Sequence, residues 1–289
     1  MKNIVVIGLG LIGGSFAKAI NGLYPKAELS GLDTNSDHLE KAIQIGLIHK
    51  KANTRSMIQA DMVVLAIPVN ALVKELPAIL DRVKEDCVVF DAGSTKSLIC
   101  KTVENHPKRR NFLACHPIAG TEFSGPTAAF DGLYKGKTNI ICEIEKTAFS
   151  LQERALIFFQ KIGMRIRYMN PVAHDKHIAY VSHLSHISSF MLGKTVIQKE
   201  KNERDIFDMA GSGFESTVRL AKSSPDMWAP IFEQNKKNVI ETLEEYIENL
   251  TIFKNMMEAD DFKGIYDEMN NTNRIKQILK GIPLTKTMD

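Results

Sequence analysis

The chain has 289 residues, enough for one large domain or two ordinary ones. Hydrophobic residues make up 44% and charged residues 25%, fractions that exclude extended disorder and predict packed cores. The net charge is only +3, and no apolar run approaches the length of a membrane span. We therefore expect neither a nucleic-acid partner nor a membrane anchor.

The four cysteines show neither CxxC nor metal-binding spacing, so disulfides and a cysteine metal site are not expected. The N terminus enters a predicted strand almost at once, which leaves no room for a signal peptide. These features predict a cytoplasmic protein with reduced cysteines and no bound metal.

The first predicted strand leads into a glycine-rich turn. Gly8, Gly10 and Gly13 form a GxGxxG pattern between a β-branched run and a helical stretch. In that context the first glycine permits a tight turn, the second lets a pyrophosphate approach the backbone, and the third lets helix and strand pack closely. The helix N terminus offers N–H groups to the phosphates. The predicted dinucleotide site comprises Gly8, Gly10, Leu11, Ile12 and Gly13.

Asp33 ends the second predicted strand, residues 27–32, and lies 20 residues after Gly13. A carboxylate at this point accepts hydrogen bonds from the ribose hydroxyls of NAD and repels the extra phosphate of NADP. No arginine or lysine follows in residues 34–36. The sequence therefore favours NAD as the cofactor.

Buried strands then alternate with helices, which predicts an α/β fold with a parallel sheet covered on both faces. Pro77 is expected to kink or divide the helix over residues 72–83. Pro68, Ser94 and His116 are all expected at the nucleotide-binding edge of this sheet; Ser94 also suits a helix N-cap. Further strands are predicted at 61–68, 87–91, 112–115, 139–144 and 164–169, and a further helix at 148–162.

The pattern changes at Pro171, which predicts a first domain over residues 1–170 and an all-helical second domain over 171–289. His183 and His186 are three residues apart, near one helix face, without enough ligands nearby for zinc. A glycine-rich break precedes the helix with Arg219, and Pro225 suits the first turn of another. Helices are expected at 231–250 and 252–279; the first has a broad apolar stripe that favours a homodimer.

Residues 116–125 combine an imidazole, a carboxylate and two hydroxyls between glycines, directly after a predicted strand. His116 has the chemistry of a general base near neutral pH. Taken alone, the segment also suits an ordinary turn with a surface histidine.

Together these motifs resemble the prephenate dehydrogenase family, which includes arogenate and cyclohexadienyl dehydrogenases. The resemblance extends over nearly the whole chain. The matching segments are residues 8–15, 91–96, 116–125, 182–186, 213–219 and 224–228.

The resemblance implies a Rossmann-type doubly wound domain followed by a helical dimerisation domain. It also implies NAD-dependent oxidative decarboxylation of prephenate to 4-hydroxyphenylpyruvate, a step of tyrosine biosynthesis. By this resemblance His116 accepts the hydroxyl proton, Ser94 binds the same hydroxyl and helps to hold the imidazole, and Glu122 orients the local network. Arg219 would bind a substrate carboxylate. The other implied substrate-binding residues are His186, His183, Trp228 and Thr121.

Three positions depart from the family pattern: Ser185, Ser212 and Ser216. They bear on substrate access rather than on the chemistry. Arogenate dehydrogenase, with the same chemistry on the amine analogue, remains an alternative. A more distant one is a β-hydroxyacid dehydrogenase with Lys176 or Lys236 as catalyst, which the His116 motif disfavours. An NAD-sensing regulator without turnover is disfavoured by the complete set of base, serine and arginine.

Overall fold

The computed structural model describes residues 1–201 and 205–280. Contacts within the chain divide it into two units, Met1–Lys236 and a second that begins at Lys237. The predicted second domain, residues 171–289, includes residues 202–204 and 281–289, which lie outside the described residues. Its helices before Lys237 belong to the first of the two units.

An eight-stranded sheet organises the first unit, with strand order β3-β2-β1-β4-β5-β6-β7-β8. The apolar runs form these strands because both faces of the sheet are covered; β4 and β5 are buried along their whole length. The strands are β1 Asn3–Ile7, β2 Glu28–Leu32, β3 Lys50–Lys51, β4 Met62–Leu65, β5 Val88–Asp91, β6 Phe112–Pro117, β7 Thr138–Cys142 and β8 Arg165–Met169.

Strands β1 to β6 are parallel, as expected, but β7 pairs with β6 in the antiparallel direction and β8 follows β7 in parallel. The expectation of an all-parallel sheet is therefore wrong at this edge. The reason lies in the connection between β6 and β7, which contains a short 3-10 turn at Pro126–Ala128 but no α-helix. An antiparallel neighbour needs no crossover helix.

Helices cover both faces of the sheet, which confirms the doubly wound architecture. They are α1 Leu11–Leu23, α2 Ser36–Gln44, α3 Thr54–Gln59, α4 Val69–Arg82, α5 Ser97–Thr102, α6 Phe149–Lys161, α7 Pro171–Ile178, α8 Leu184–Glu200, α9 Ser212–Val218, α10 Pro225–Gln234, α11 Lys236–Glu258, α12 Phe262–Thr272 and α13 Ile275–Lys280. Helix α4 continues through Pro77, so the proline does not divide it. Ser94 is not an N-cap, because α5 begins at Ser97 with Lys96 in the cap position.

Two apolar cores lie on the two faces. One joins α1, α2 and α6 to the sheet and includes the stacked rings of Phe16 and Tyr134. The other joins α3, α4 and α5 to the sheet, and Trp228 and Ile231 of α10 are part of it. This second core packs α10 of the helical segment against the nucleotide-binding fold, close to α4.

The helical segment differs from the prediction in the positions of its breaks. A π-helical turn over Ala179–His183 separates α7 from α8, slightly before the interruption expected at 182–186. Helix α11 continues through Thr251, whose hydroxyl donates to the carbonyl of Ile247, and the break expected there falls after Glu258, before α12. Another break, at Asn235, separates α10 from α11 inside the helix expected over residues 231–250. Asn235 is buried and its amide donates to the carbonyl of Asp175, which explains the break there. Among the described helices, none has the length and apolar character that a membrane span requires.

Candidate active site

The glycine-rich turn between β1 and α1 is shaped by steric contacts of the backbone. Gly8 has φ +88°, and a Cβ there would lie 2.2 Å from the carbonyl oxygen of Ala66. A Cβ on Gly13 would lie 1.8 Å from the carbonyl oxygen of Gly8. A Cβ on Gly10 would have no heavy atom within 4 Å, so this residue borders open space.

The N terminus of α1 is suited to an anion. Its cap is Gly10, no side chain caps it, and no acidic residue lies in its first turn. The first N–H groups of a helix without a side-chain cap are available to a phosphate, and the helix dipole favours negative charge there. Of the other predicted residues, Leu11 is buried, the carbonyl of Ile12 accepts a 2.6 Å bond from the Tyr134 hydroxyl, and exposed Pro68 precedes α4. These residues fit a dinucleotide.

Asp33 lies directly beside this turn. Its Oδ2 accepts a 2.8 Å hydrogen bond from the N–H of Leu9, and its Oδ1 accepts a 2.9 Å bond from Asn35. Each carboxylate oxygen has a second lone pair for a ribose hydroxyl. The predicted ribose acceptor therefore also holds the glycine turn in place.

His116 lies near the carboxyl end of β6, where it begins a chain of buried polar contacts. Its Nδ1 is 2.8 Å from Nε2 of His174, and Nδ1 of His174 is 2.8 Å from Oδ1 of Asp175. The carboxylate of Asp175 also accepts backbone hydrogen bonds from Lys96 (2.7 Å) and Ser97 (2.8 Å). The resemblance implies that Ser94 helps to hold the imidazole; the structure adds His174 and Asp175 of α7, which were not predicted.

The ionisation of this chain follows from its contacts. Burial would raise the pKa of Asp175, but hydrogen bonds from His174 and from the backbone of Ser97 and Lys96 outweigh it and lower the pKa. Burial lowers the pKa of His174, and burial lowers that of His116 well below its ordinary value, with a contribution from the Lys96 cation. At neutral pH, Asp175 is therefore ionised and both imidazoles are uncharged.

These charge states fix the tautomers through the hydrogen-bond pattern. Ionised Asp175 accepts the Nδ1–H of His174, so Nε2 of His174 has a lone pair. That lone pair accepts the Nδ1–H of His116. Nε2 of His116 is then the basic nitrogen.

A buried ion pair fixes the backbone next to His116. The ammonium of Lys96 contacts the carboxylate of Asp91, and both side chains are fully buried. Asp91 accepts the N–H of Cys115 at 2.9 Å, and Lys96 donates to the carbonyl of Cys115 at 2.7 Å. Both polar groups of the residue before His116 are thus held. Asp91 also accepts the N–H of Gly93, which orders the loop that contains half-buried Ser94.

Trp228, His183 and His186 form an aromatic cluster, which Asn235 links to Asp175. The ring of His186 stacks on Trp228 with centroids 3.5 Å apart, and His183 meets Trp228 edge-on at 5.8 Å. Asn235 donates to Nδ1 of His183 at 3.2 Å, so uncharged His183 has its proton on Nε2. Burial lowers the pKa of His183 to about 4. Nε2 of His183 and Nε1 of Trp228 are buried donors without a hydrogen-bond partner among the described residues.

Arg219 follows directly on α9, and its guanidinium is 3.2 Å from the carboxylate of Glu122 in the loop after β6. Burial lowers the pKa of His186, and the positive charge of Arg219 contributes to the shift. Helix α8, which carries His186, packs against the 3-10 turn over Arg219–Lys222, so Arg219 lies close to the aromatic cluster. Of the two histidines, half-buried His186 is the one beside Arg219, whereas His183 is fully buried. Thr121 is exposed in the Glu122 loop and accepts a bond from the N–H of Phe123.

The two lysines considered as alternative catalysts lie on the surface. Lys176 and Lys236 are both exposed, whereas His174 and Asp175 beside Lys176 are buried. Within residues 1–201 and 205–280, no group of three or more histidine, cysteine or acidic side chains is arranged to hold a metal ion.

Two domain profiles cover most of the chain. Residues 16–168 match the prephenate dehydrogenase nucleotide-binding domain, and residues 170–271 match the prephenate dehydrogenase dimerization domain. The chain belongs to the prephenate dehydrogenase family. The resemblance inferred from the motifs is thereby confirmed, and with it the nucleotide-binding character of the α/β part.

Relatives within the prephenate dehydrogenase family align over almost the full chain. The cyclohexadienyl dehydrogenase of Zymomonas mobilis is 28% identical over 282 residues, 96% of each protein. The prephenate dehydrogenase of Bacillus subtilis is 27% identical over 289 residues, 98% of this chain and 77% of that protein. The crystal structure of Aquifex aeolicus prephenate dehydrogenase with hydroxyphenyl propionate and NAD+ superposes with a TM-score of 0.86 at 31% identity, covering 96% of this chain and 98% of that one.

Proposed function

We propose that this protein catalyses the NAD-dependent oxidative decarboxylation of prephenate to 4-hydroxyphenylpyruvate, in tyrosine biosynthesis. The observation that carries the proposal is the buried chain from Asp175 through His174 to His116, which leaves a basic nitrogen at the carboxyl end of β6. Membership in the family and the similarity to prephenate dehydrogenases support the same substrate class.

His116 is the group that moves a proton in this proposal. Its Nε2 takes the proton of the ring hydroxyl as the carbinol carbon is oxidised to a carbonyl. Bound NAD supplies the hydride acceptor. The bond to the ring carboxylate then breaks and its electron pair enters the ring, which becomes aromatic as CO2 leaves. The phenolate oxygen recovers the proton from His116, so the base is regenerated.

The proton balance requires an uncharged imidazole before the reaction, and burial of His116 provides it. Ser94, in the loop fixed by Asp91, is assigned to the same hydroxyl. Its loop and β6 end at the same edge of the sheet, where groups from neighbouring strands converge. Holding the hydroxyl between a serine and a base positions it for the reaction.

The two anionic groups of prephenate need separate partners. Arg219, half-exposed and paired with Glu122, is assigned to one carboxylate, because a guanidinium binds a carboxylate through two parallel hydrogen bonds. The unpaired N–H groups of His183 and Trp228 are assigned to the side arm, directly or through an ordered water. A buried donor without a partner costs about 1–3 kcal/mol, so a polar group of the ligand is favoured there. His186 and Trp228 then form the aromatic wall, and Thr121 lies on the Glu122 loop.

NAD is the proposed cofactor, bound by the glycine turn with Asp33 on its ribose. Replacing Asp33 with alanine would also remove the bond to Leu9, so Asp33→Asn, which keeps an acceptor, is the cleaner test. Loss of the negative charge should raise kcat/KM for NADP relative to NAD by about tenfold, because the 2′-phosphate is no longer repelled. An unchanged ratio in steady-state assays of NADH and NADPH formation would assign the preference to other groups.

The direct test of the function is NADH formation by the purified protein, followed at 340 nm, with prephenate and arogenate offered separately. Turnover of prephenate, with 4-hydroxyphenylpyruvate and CO2 as products, is the expected result. Faster turnover of arogenate would assign the protein to the arogenate branch with the same chemistry. Binding of NAD without turnover of either compound would contradict the proposed function.

We further propose a homodimer formed through the helical domain, residues 171–289. The match to the dimerization domain supports it, as do exposed apolar side chains on α11 and α12. They include Ile240, Ile247, Leu250, Phe253, Phe262 and Tyr266. Sedimentation equilibrium should give twice the mass of one chain, and a monomer at micromolar concentration would contradict this arrangement.

A further inference from the structure

The turn that carries Arg219 is attached to α8 by a hydrogen bond from a buried serine side chain. Helix α9 ends at Val218, and a 3-10 turn over Arg219–Lys222 follows. The last carbonyls of a helix lack full helical partners. One of them, on Thr217, accepts a 2.6 Å hydrogen bond from the hydroxyl of Ser189, a side chain that is 3% exposed.

The face of α8 that carries Ser189 also borders the aromatic cluster of His183, His186 and Trp228. Ser189 lies three residues after His186, a spacing that places both residues on one face of a helix. Gly193, four residues further along, brings α8 close to the same turn, because a Cβ there would lie 4.0 Å from the Cβ of Ala221. One helix face therefore carries His186, which stacks on Trp228, and the contact that holds the Arg219 turn.

We propose that Ser189 is a positioning residue that fixes the Arg219 guanidinium relative to the wall formed by His186 and Trp228. The inference rests on the proposed function, in which Arg219 binds a carboxylate of a rigid cyclohexadiene while the ring packs on that wall. A guanidinium pairs with a carboxylate in one planar geometry, so a small displacement of its backbone weakens binding. Ser189 itself does not touch the substrate in this proposal.

Substitution of Ser189 with alanine removes the bond, and Ser188→Ala is a matched control. The Ser188 hydroxyl donates to the carbonyl of Leu184 in its own helix, at 2.8 Å. Ser189→Ala should raise KM for prephenate about tenfold, with kcat and KM for NAD within about twofold of wild type. Ser188→Ala should leave all three values within about twofold. Equal effects of the two variants would overturn the proposal.

A double-mutant cycle separates positioning from general support of the fold. If Ser189 acts through Arg219, Ser189→Ala should raise KM no further in an Arg219→Ala background. Additive effects in the double variant would overturn the proposal, because they would place the action of Ser189 elsewhere. Ser189→Thr retains a hydroxyl and should restore most of the affinity. Failure of that variant together with additivity would assign Ser189 to packing alone.

Amide hydrogen exchange provides a readout that does not depend on the substrate. In the ligand-free protein, Ser189→Ala should accelerate exchange across residues 212–222, and Ser188→Ala should not. Unchanged exchange would overturn the positioning role of Ser189, whichever substrate the protein uses. Accelerated exchange in a protein that turns over neither prephenate nor arogenate would instead reject the proposed function and retain the tether of the Arg219 turn.

Discussion

The cofactor turn, residues 8–13, and the proposed catalytic corner, formed by His116, His174 and Asp175, are built in different ways. At the turn, Gly8 and Gly13 leave no space for a side chain, and backbone groups are presented to the ligand. At the corner, the side chains of His116, His174 and Asp175 come from β6 and α7 and form one buried chain. The turn is therefore set by steric contact within one short segment, whereas the corner depends on ionisation and hydrogen bonding between distant segments.

The largest effect is expected from substitution of His116, the proposed base. His116→Asn keeps a polar side chain of similar reach but removes the basic nitrogen. We expect kcat to fall by about 10²–10⁴ with KM for prephenate little changed, because proton transfer matters mainly in the transition state. Steady-state kinetics and NAD binding by fluorescence test this; near-normal turnover would place the base elsewhere.

The wild-type pH profile tests the same residue. In the proposed mechanism only uncharged His116 accepts a proton, so its protonation on the acid side should abolish activity. Since burial lowers the pKa of His116 well below its ordinary value of 6.5, kcat/KM should stay level down to pH 6.5 and fall only below it. An acid limb centred at or above pH 6.5, absent in His116→Asn, would contradict the buried environment.

At the cofactor turn, stability and NAD binding should depend on the size of the side chain at each glycine position. Gly13→Ala forces a methyl group against the Gly8 carbonyl. We expect the free energy of unfolding to fall by about 2–3 kcal/mol and KM for NAD to rise about tenfold. Gly22→Ala is the control, because Gly22 lies in the same helix with open space around it and should gain about 0.5–1 kcal/mol. Equal melting temperatures in the two variants would contradict the steric argument.

The difference between the two regions also explains which of their features could be predicted from the sequence. The glycine turn and Asp33 were predictable because they are close in sequence and because each residue type has a distinct physical role in a strand–turn–helix segment. The alternation of strands and helices predicted a parallel sheet, but it did not predict the reversal at β7, since strand direction depends on the path of a connection. His174 and Asp175 were missed because a buried polar pair inside a helix gives no periodic signal. Lys96 belongs to the motif at residues 91–96, yet its full burial against Asp91 is evident only from the fold.

A smaller effect on catalysis is expected from Asp175→Asn. An amide cannot accept from His174, Lys96 and Ser97 together, so His174 changes its tautomer and donates Nε2–H toward His116. The basic nitrogen of His116 is then on the wrong side of the ring. We expect kcat to fall about 10- to 100-fold with an unchanged KM for NAD.

The control for this variant is His177→Gln, an exposed position on the same helix, which should keep kcat within about twofold. If Asp175→Asn also retains kcat within that range, the tautomer of His116 is set by another group. A loss of thermal stability common to both variants would indicate a general effect on α7.

The smallest effect is expected at Asp61, which supports β1 at its amino end, the end opposite the glycine turn. Its carboxylate accepts bonds from Lys84 at 2.6 Å and from the N–H groups of Lys2 and Asn3. Burial would raise the pKa of Asp61, but these bonds outweigh it and lower the pKa from 3.8 to about 2. The stabilisation is therefore complete above about pH 4 and is lost as the pH falls toward 2.

Asp61→Asn should lower the free energy of unfolding by about 1 kcal/mol at pH 7, a modest value because solvent screens a partly exposed pair. Asp86→Asn is the matched control, since Asp86 contacts the same lysine at 3.5 Å but is far more exposed. Urea denaturation should show the Asp61 effect shrinking as the pH falls from about 4 toward 2, with kcat unchanged at neutral pH. A change in kcat would mean that support of β1 reaches the glycine turn at its other end, and that the turn is not set by local steric contact alone.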